Sequence, residues 1–292
     1  MVVTRVMSAI IAITNQKGGV GKTTTAVNLS SYLAGFGYKV LLIDFDPQGN
    51  ATSGLGVEEI EEGKDLFDMF FGRVTLQQIV RPTVVPLLSV APSSRDLVGV
   101  EIELGKTPGR ELILKSQIQL LHEEYDFILI DCPPSSGLLS LNAMGAAGQV
   151  MIPMQAEYYA LEGLSALLET ISFVQETFNP ELSILGVFVT MYDGRTNLSK
   201  QVLDEVTEHF GELTFKTLIP RTVRLSECPS HGLPISMYEP EGVGAKGYES
   251  LAKEVVVRVL GDHASESHAS ESHASESGSL GSSLSGRQVA NR

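Results

Sequence analysis

A glycine-rich segment with two lysines is the part of the sequence with the clearest chemistry. It reads KGGVGKTT from Lys17 to Thr24 and directly follows an apolar run. Glycines let a backbone curl so that its N–H groups converge on phosphate oxygens, and a helix beginning at Thr23 would add its positive N-terminal end. Lys22 would neutralise the β- and γ-phosphates, and the Thr23 hydroxyl would ligate Mg²⁺. The segment therefore predicts a nucleotide site made of Lys17, Gly18, Gly19, Val20, Gly21, Lys22, Thr23 and Thr24.

The loop departs from the usual phosphate-binding pattern at its start. That pattern begins with glycine, where this chain has Gln16 followed by Lys17. One nucleotide needs only one loop lysine, so Lys17 is surplus to a site within a single subunit. We predict that Lys17 serves the phosphates of a neighbouring subunit, and a plain surface charge is the alternative.

Three aspartates stand at the ends of two other apolar runs. The run VLLI leads to Asp44 and Asp46, and the run FILI leads to Asp131. An aspartate that ends a buried strand beside a phosphate loop is well placed to hold Mg²⁺ through water. Asp44 and Asp46 are two positions apart and would point to the same side of an extended chain. One of them would then orient the attacking water while the other supports the metal site with Asp131.

Apolar runs alternate with helical stretches through the first 260 residues. Continuous apolar runs are typical of strands that are buried on both faces. This alternation predicts an α/β fold with a mostly parallel, twisted sheet, helices on both faces and a ligand site beyond the carboxyl ends of the strands. The predicted strands are 8–14, 40–43, 127–130, 150–153 and 184–189, and the predicted helices are 23–33, 108–122, 161–178, 198–210 and 248–260.

The end of the chain has a different composition. It repeats HASES three times and finishes with GSLGSSLSGRQVANR. Such sequence has little apolar surface to offset the entropy lost on ordering, so we predict one α/β domain over 1–260 and a disordered tail over 261–292. The three tail histidines, His263, His268 and His273, are a weaker candidate for metal binding because their spacing is not rigid. At the other end, Met7 is an alternative start to Met1.

Charge and cysteine content exclude several classes of protein. Lys and Arg number 21 against 35 Asp and Glu, a formal net charge of −14, which argues against coating nucleic acid by bulk charge. Cys132 and Cys228 are far apart and no signal peptide is visible, so a cytoplasmic protein is expected and a disulfide-built secreted fold is excluded. No apolar run approaches the ~20 residues that cross a membrane, so no membrane partner is expected.

Several long segments, in one order, resemble the ParA/Soj partition ATPases, members of the deviant Walker A group of P-loop NTPases that includes MinD. The resemblance spans about residues 8–260. It rests on KGGVGKTT, LLIDFDPQGNATSGLG, DFILIDCPPSSG, PMQAEYYALEGL, MYDGRTNLS and IPRTVRLSECPSHGLPI. It implies an ATPase of chromosome or plasmid segregation that uses ATP, releases ADP and requires Mg²⁺.

The resemblance also implies roles for single residues. Lys17 would reach across an ATP-dependent homodimer to the partner's phosphates, Lys22 would bind phosphate within its own subunit, and Asp46 would position the hydrolytic water. These three are the expected catalytic residues. Pro220 and Thr222 would contact adenine, although relatives often have asparagine in place of Thr222.

Further implications concern partners. Arg195 and Arg224 match positions that bind nonspecific DNA, which would make the protein nucleoid-associated, and a ParB-type centromere-binding protein would stimulate hydrolysis. Charge alone does not indicate DNA binding, because the segment from Thr190 to Arg224 has as many acids as bases. The bases are Arg195, Lys200, Lys216, Arg221 and Arg224, and the acids are Asp193, Asp204, Glu205, Glu208 and Glu212.

Four alternatives remain. A MinD-like division ATPase would need an amphipathic C-terminal helix, which the HASES repeats do not provide. An iron–sulfur relative would place Cys132 at a dimer interface but lacks the ligand contexts around Cys228. A nucleophilic pair of Cys228 and His231 has no accompanying acid. The non-enzyme alternative is a nucleotide-gated adaptor that binds ATP with negligible hydrolysis.

Overall fold

The computed structural model describes residues 8–57, 60–121, 124–158 and 162–277, and side chains in the same ranges except Glu162 and 262–277. The chain divides into two compact units, Met1–Glu254 and Val255–Arg292. The first contains the whole sheet. The described part of the second is a single stretch of helix.

The described residues form one seven-stranded sheet in the order β3-β4-β2-β5-β1-β6-β7. Six strands run parallel, and β3 alone pairs antiparallel at one edge. The strands are β1 (Ala9–Ile13), β2 (Val40–Asp44), β3 (Arg81–Pro82), β4 (Leu88–Ala91), β5 (Phe127–Asp131), β6 (Gln149–Gln155) and β7 (Ser183–Thr190). This confirms the predicted α/β fold.

Helices connect these strands and cover the sheet. Every residue of β2 and β5 is buried, as expected for strands with both faces covered. The α-helices of the described residues are α1 (Lys22–Gly35), α2 (Asn50–Gly54), α3 (Leu66–Phe70), α4 (Leu76–Ile79), α5 (Val98–Glu103), α6 (Ile113–Ile118), α7 (Leu138–Ala146), α8 (Glu162–Thr177), α9 (Asn197–Phe210), α10 (Arg224–Glu227), α11 (Ile235–Tyr238) and α12 (Val243–Ser277).

The strand order sets the location of the site. Strand β5 lies between β1 and β2, with Asp131 in register with both Ile13 and Asp44. The carboxyl ends of the three central strands therefore meet at one edge, where β1 leads into the glycine loop and α1. The predicted clustering of the loop with these two aspartates follows directly from this order.

One predicted helix differs in form. Instead of a continuous helix over 108–122, the chain has a 3₁₀ turn at Arg110–Leu112 and then α6, which ends at Ile118. Gly109 precedes the turn with a φ of 74°, a left-handed conformation that a right-handed helix cannot include. His122 lies outside the described residues, as does Leu161 of the predicted helix over 161–178.

The disordered tail over 261–292 stays a prediction. Helix α12 continues through residues 261–277, whereas 278–292 lie outside the described residues. The repeats contain Ala and Glu, which favour helix, and no Gly or Pro interrupts them before Ser277, so the helix that precedes them can continue. The domain boundary at residue 260 also remains a prediction. The chain is divided into its two compact units between Glu254 and Val255.

Candidate active site

The glycine loop has the shape of an anion cradle. Gly19 and Gly21 have φ values of 76° and 90°, which side chains with a Cβ rarely adopt. Gly21 is the N-cap of α1 and supplies no side-chain cap, so the first amides of the helix lack that partner. A Cβ added at Gly18 or Gly19 would meet nothing within 4 Å, so the space beside the loop is open. A phosphate group placed there would meet backbone N–H groups and the positive end of α1.

Lys22 lies within this loop rather than on the surface. Its side chain is buried, and Nζ donates to the Lys17 carbonyl at 3.0 Å, which closes the loop on itself. Burial lowers the pKa of Lys22, and the nearby Asp131, Cys132 and Asp46 oppose that shift. A buried cation that is held at the centre of a glycine loop is well placed to bind phosphate.

Asp44 and Asp131 are the last residues of adjacent strands and are both fully buried. The Asp44 Oδ2 accepts hydrogen bonds from the Thr52 N–H at 2.8 Å and the Thr52 hydroxyl at 2.7 Å. Burial raises the pKa of Asp44 to about 6, in spite of these bonds and with a further contribution from Asp46. Asp44 is thus held by protein donors, which suits a role in positioning more than direct contact with a metal.

Asp131 differs from Asp44 in its partners. Among the described residues neither carboxylate oxygen has a hydrogen-bond partner. Burial and the neighbouring Asp44 raise the pKa of Asp131 well above its usual value, while Thr23 and Lys22 oppose the shift. A buried carboxylate whose oxygens have no well-aligned donor is costly, and a divalent cation held between Asp131 and the nearby Thr23 hydroxyl would remove that cost.

The donor set around Asp131 fits Mg²⁺. The described residues contain no group of three or more His, Cys, Asp or Glu side chains that would form a complete metal cage. Mg²⁺ usually takes one or two carboxylates and completes its shell with water and substrate phosphates. Asp131 and the Thr23 hydroxyl at the start of α1 provide oxygens of this kind.

Asp46 lies beyond the end of β2. Its side chain is partly exposed, Oδ1 accepts from the Gln48 N–H at 2.9 Å, and its carbonyl accepts from the Ser93 hydroxyl at 2.6 Å. Strand β2 ends at Asp44, and the Asp46 N–H donates to Asp44 Oδ1 at 3.3 Å, so a shared side of an extended chain for Asp44 and Asp46 stays a prediction. Asp44 is buried against Thr52, whereas the Asp46 side chain is partly exposed.

A cavity of about 340 Å³ opens beside the loop and has the character of a nucleoside pocket. Its wall includes Pro220 and Thr222, the two residues predicted to contact a base, together with Gly21 and Thr24 of the loop. Sequence reasoning missed Tyr248, whose hydroxyl lies 3.1 Å from the Thr25 hydroxyl. The complete lining is Gly21, Thr24, Thr190, Met191, Ile219, Pro220, Arg221, Thr222, Val223, Leu225, Ser226 and Tyr248.

Comparison with known proteins gives consistent matches across this fold. The family described as AAA domain matches residues 8–184. The sporulation initiation inhibitor protein Soj of Bacillus subtilis is 53% identical over 85% of this chain and 98% of its own length. The chromosome-partitioning ATPase Soj of Treponema pallidum is 51% identical over 86% of this chain and 98% of its own length. The chain belongs to the Soj/ParA family of chromosome-partitioning ATPases.

One similar solved structure contains a bound nucleotide and a metal ion. Cobyrinic acid a,c-diamide synthase from Mycobacterium smegmatis, with bound ADP and magnesium, superposes with a TM-score of 0.77 at 35% identity. The alignment covers 87% of this chain and 96% of that one. The Soj/ParA fold of this chain is therefore shared with a protein that holds both ligands of a nucleotide site.

Lys17, the surplus lysine of this Soj/ParA chain, is engaged in an ion pair. Its Nζ lies 3.5 Å from Glu157 Oε2, while Arg221 of the pocket wall lies 3.8 Å from the other oxygen of Glu157. Lys17 and Glu157 are both partly exposed, so the pair is not buried. Exposed pairs of this kind contribute ~0–1 kcal/mol and are easily exchanged for another anion.

The two arginines expected to bind DNA in a Soj/ParA protein are exposed and paired with acids. Arg195 forms a two-bond pair with Asp193, with Nε at 2.9 Å and Nη2 at 2.7 Å from its oxygens. This pair lowers the pKa of Asp193 to about 2. Arg224 contacts Glu227 at 2.9 Å and Glu239 at 3.3 Å. The structure thus places each arginine on the surface beside competing carboxylates.

The two cysteines, Cys132 and Cys228, are free and buried. Burial raises the pKa of the Cys132 thiol, and burial likewise raises the pKa of Cys228 to about 11. Cys228 donates weakly to the Leu225 carbonyl, and the His231 ring stacks on Tyr238 with centroids 5.0 Å apart. The contacts of these two residues do not support the nucleophilic pair considered from sequence.

None of the described helices is long and apolar enough to span a membrane.

Proposed function

We propose that this protein is a Mg²⁺-dependent ATPase of DNA segregation that cycles between a monomer and an ATP-bound homodimer. The carrying observation is the juxtaposition of an open glycine loop, the buried Lys22 and the unpaired, buried Asp131. A triphosphate with its magnesium would supply anionic oxygens to the first two and a cation to the third. The family relationship supports the same assignment.

Each part of ATP would be bound by a different group of the chain. The loop from Lys17 to Thr24 would receive the phosphates through its N–H groups and Lys22. The cavity beside Pro220 and Thr222 would receive adenine. Magnesium, once bound by Thr23 and Asp131 with Asp44 supporting from behind, would neutralise developing charge on the phosphates.

Hydrolysis would depend on Asp46. It is the partly exposed carboxylate that follows β2, whereas Asp44 is occupied by Thr52. Its position at the rim of the site suits a group that orients a water molecule for attack on the γ-phosphate. Lys17 would leave Glu157 and bind the partner subunit's ATP, which makes the exposed ion pair the group exchanged on dimerisation.

The dimer would bind DNA through Arg195 and Arg224 without reading sequence, since both are side chains suited to phosphate contact. A ParB-type protein would stimulate hydrolysis and release the dimer. The protein would then be associated with the nucleoid in the cytoplasm. The proposal takes its support for DNA and ParB from the family and from the exposure of the two arginines.

Sedimentation with ATP, with ADP and without nucleotide, each with and without random-sequence DNA, tests the proposal. We expect a dimer only with ATP and DNA co-sedimentation only in that state. Lys17→Ala should bind ATP but stay monomeric, whereas Lys22→Ala should lose nucleotide affinity. Normal ATP-dependent dimerisation of Lys17→Ala would refute the exchange across subunits.

The alternative of an adaptor that binds ATP without hydrolysing it is distinguished by phosphate release and not by dimerisation. An adaptor would dimerise and bind DNA in the same experiment but release no phosphate, with or without DNA and a ParB-type partner. Phosphate release in a single turnover therefore decides between the two.

A further inference from the structure

The helix that follows Asp131 begins at a hydrogen bond to a residue distant in sequence. Asp131 ends β5, residues 132–137 form a loop, and α7 begins at Leu138. The first N–H groups of a helix have no partner within the helix. The Leu138 N–H donates instead to Oε1 of Glu101, on α5, at 2.9 Å. A carboxylate at a helix N-terminus also interacts favourably with the helix dipole.

Gly137, the N-cap of α7, lies directly against the Glu101 carboxylate. Gly137 has a φ of −76° and a ψ of −170°, which any residue can adopt. A Cβ added there would lie 1.7 Å from Glu101 Oε1 and 2.7 Å from its Cδ. A side chain at position 137 would therefore displace the Glu101 carboxylate, which is the far end of a flexible, exposed side chain.

The loop is fixed at its two ends and once within. Asp131 pairs with Ile13 and Asp44 in the sheet, and the Ser140 hydroxyl donates to the Ser135 carbonyl at 2.6 Å. The sheet thus fixes the backbone of Asp131, whereas neither carboxylate oxygen has a hydrogen-bond partner among the described residues. The orientation of the carboxylate therefore depends on the groups around it, which include the loop that follows it.

We propose that Glu101 is a positioning residue that fixes the loop after Asp131 and so holds this carboxylate ready for the magnesium of the nucleotide. The inference rests on the proposed function. Glu101 acts through Gly137 and Leu138 and does not touch the nucleotide. Its helix, α5, is anchored by the fully buried Val100, while Val98 and Ile102 are exposed, so the contact links an anchored surface helix to the metal site.

Residue-resolved amide exchange tests the contact in the ligand-free protein. In Glu101→Ala we expect the Leu138 N–H to exchange about tenfold faster or more, since one charge-assisted hydrogen bond is lost. Glu101→Gln keeps an acceptor and should retain most of the protection. Glu101 is a solvent-exposed residue, so these variants leave the core intact. Unchanged exchange in Glu101→Ala would overturn the contact.

The functional half of the test compares magnesium dependence with nucleotide affinity. Glu101→Ala should need several-fold more Mg²⁺ for half-maximal hydrolysis, with a lower kcat, whereas its affinity for ATP measured in EDTA should not change. A purely structural role would lower stability without separating these two quantities. Equal magnesium curves for the two proteins would overturn the positioning role.

A pair of variants tests the geometry from the opposite side. Gly137→Ala alone should displace Glu101 and reproduce the Glu101→Ala defect. In the Glu101→Ala background the same change should cost nothing further, because the added methyl group then has space. Additive defects would overturn the inference. If the wild-type protein itself hydrolyses no ATP with saturating Mg²⁺, the proposed function fails, and the exchange result still judges the contact.

Discussion

At the scale of single residues, Asp44 and Asp131 lie side by side but differ in their partners. Asp44 accepts two hydrogen bonds from Thr52, whereas Asp131 has none among the described residues. Two neighbouring buried carboxylates disfavour each other's charged forms. The ligand-free subunit therefore stores unfavourable electrostatic free energy that a cation would remove.

The pKa of Asp44 predicts a pH dependence of stability. Its folded value of about 6 lies above the ordinary 3.8, so the folded state binds the proton more tightly. The stabilisation of the folded state by the proton on Asp44 is fully present below about pH 4 and is lost as the pH rises through about 6. From pH 4 to 7 the free energy of unfolding in urea should fall in the wild-type protein by this contribution. Asp44→Asn should lack this part of the decrease. Parallel curves for Asp44→Asn and wild type would contradict it.

Thr52 donates two hydrogen bonds to Asp44 and opposes the rise in the pKa of that carboxyl. Thr52→Val removes the hydroxyl donor at 2.7 Å but preserves shape and the N–H donor at 2.8 Å. We expect a loss of ~1–3 kcal/mol in the free energy of unfolding, since a buried acceptor loses a partner. The exposed Thr207→Val on α9 is the matched control and should change little. Equal losses in both variants would argue against the role of Thr52.

At the scale of elements, the sequence predicts those with an unambiguous pattern. Strands β1, β2, β5, β6 and β7 are continuous apolar runs, and their positions were predicted within two residues or fewer. Strand β3 was missed because it has two residues, one of them Pro82. Helix α7 was missed because Leu138–Ala146 is apolar almost throughout and has no amphipathic period.

The site was predictable where its residues are contiguous. The loop and the strand-end aspartates follow from local sequence, but Tyr248 lies more than two hundred positions from its partner Thr25. The ion pair between Lys17 and Glu157 likewise depends on tertiary packing. Contacts between residues this far apart in sequence cannot be predicted from the spacing of residues along the chain.

The surface arginines give a prediction about DNA affinity. Arg195→Glu or Arg224→Glu should weaken binding to all sequences alike and reduce its salt dependence. Asp193→Asn should instead tighten binding several-fold, because it removes the carboxylate paired with Arg195. Fluorescence anisotropy with random-sequence duplexes at several salt concentrations measures both effects.

A charge-matched control makes the arginine result specific. Lys106→Glu changes the net charge as Arg195→Glu does, at an exposed position on the loop after α5. We expect it to leave DNA affinity nearly unchanged. Equal weakening by Lys106→Glu would indicate bulk charge, and binding that ignores both arginine variants would reject this surface.

At the scale of the whole molecule, the repeats at the C-terminus should be separable from the folded unit. Removing 262–292 deletes four acids and two arginines but almost no apolar surface. We therefore expect an unchanged melting temperature and unchanged basal ATPase activity. A melting temperature lowered by several degrees would show that this segment stabilises the rest of the chain.

The central claim is that the loop, Asp131 and Asp46 form a hydrolytic site for ATP, and single-turnover hydrolysis of bound ATP tests it most directly. Asp46→Ala should keep its ATP affinity and dimer but hydrolyse ~10²-fold more slowly, because the water loses its positioning group. Asp204→Ala, at an exposed position on α9, is the control and should match wild type. Near-normal turnover by Asp46→Ala, or loss of ATP binding, would contradict the account.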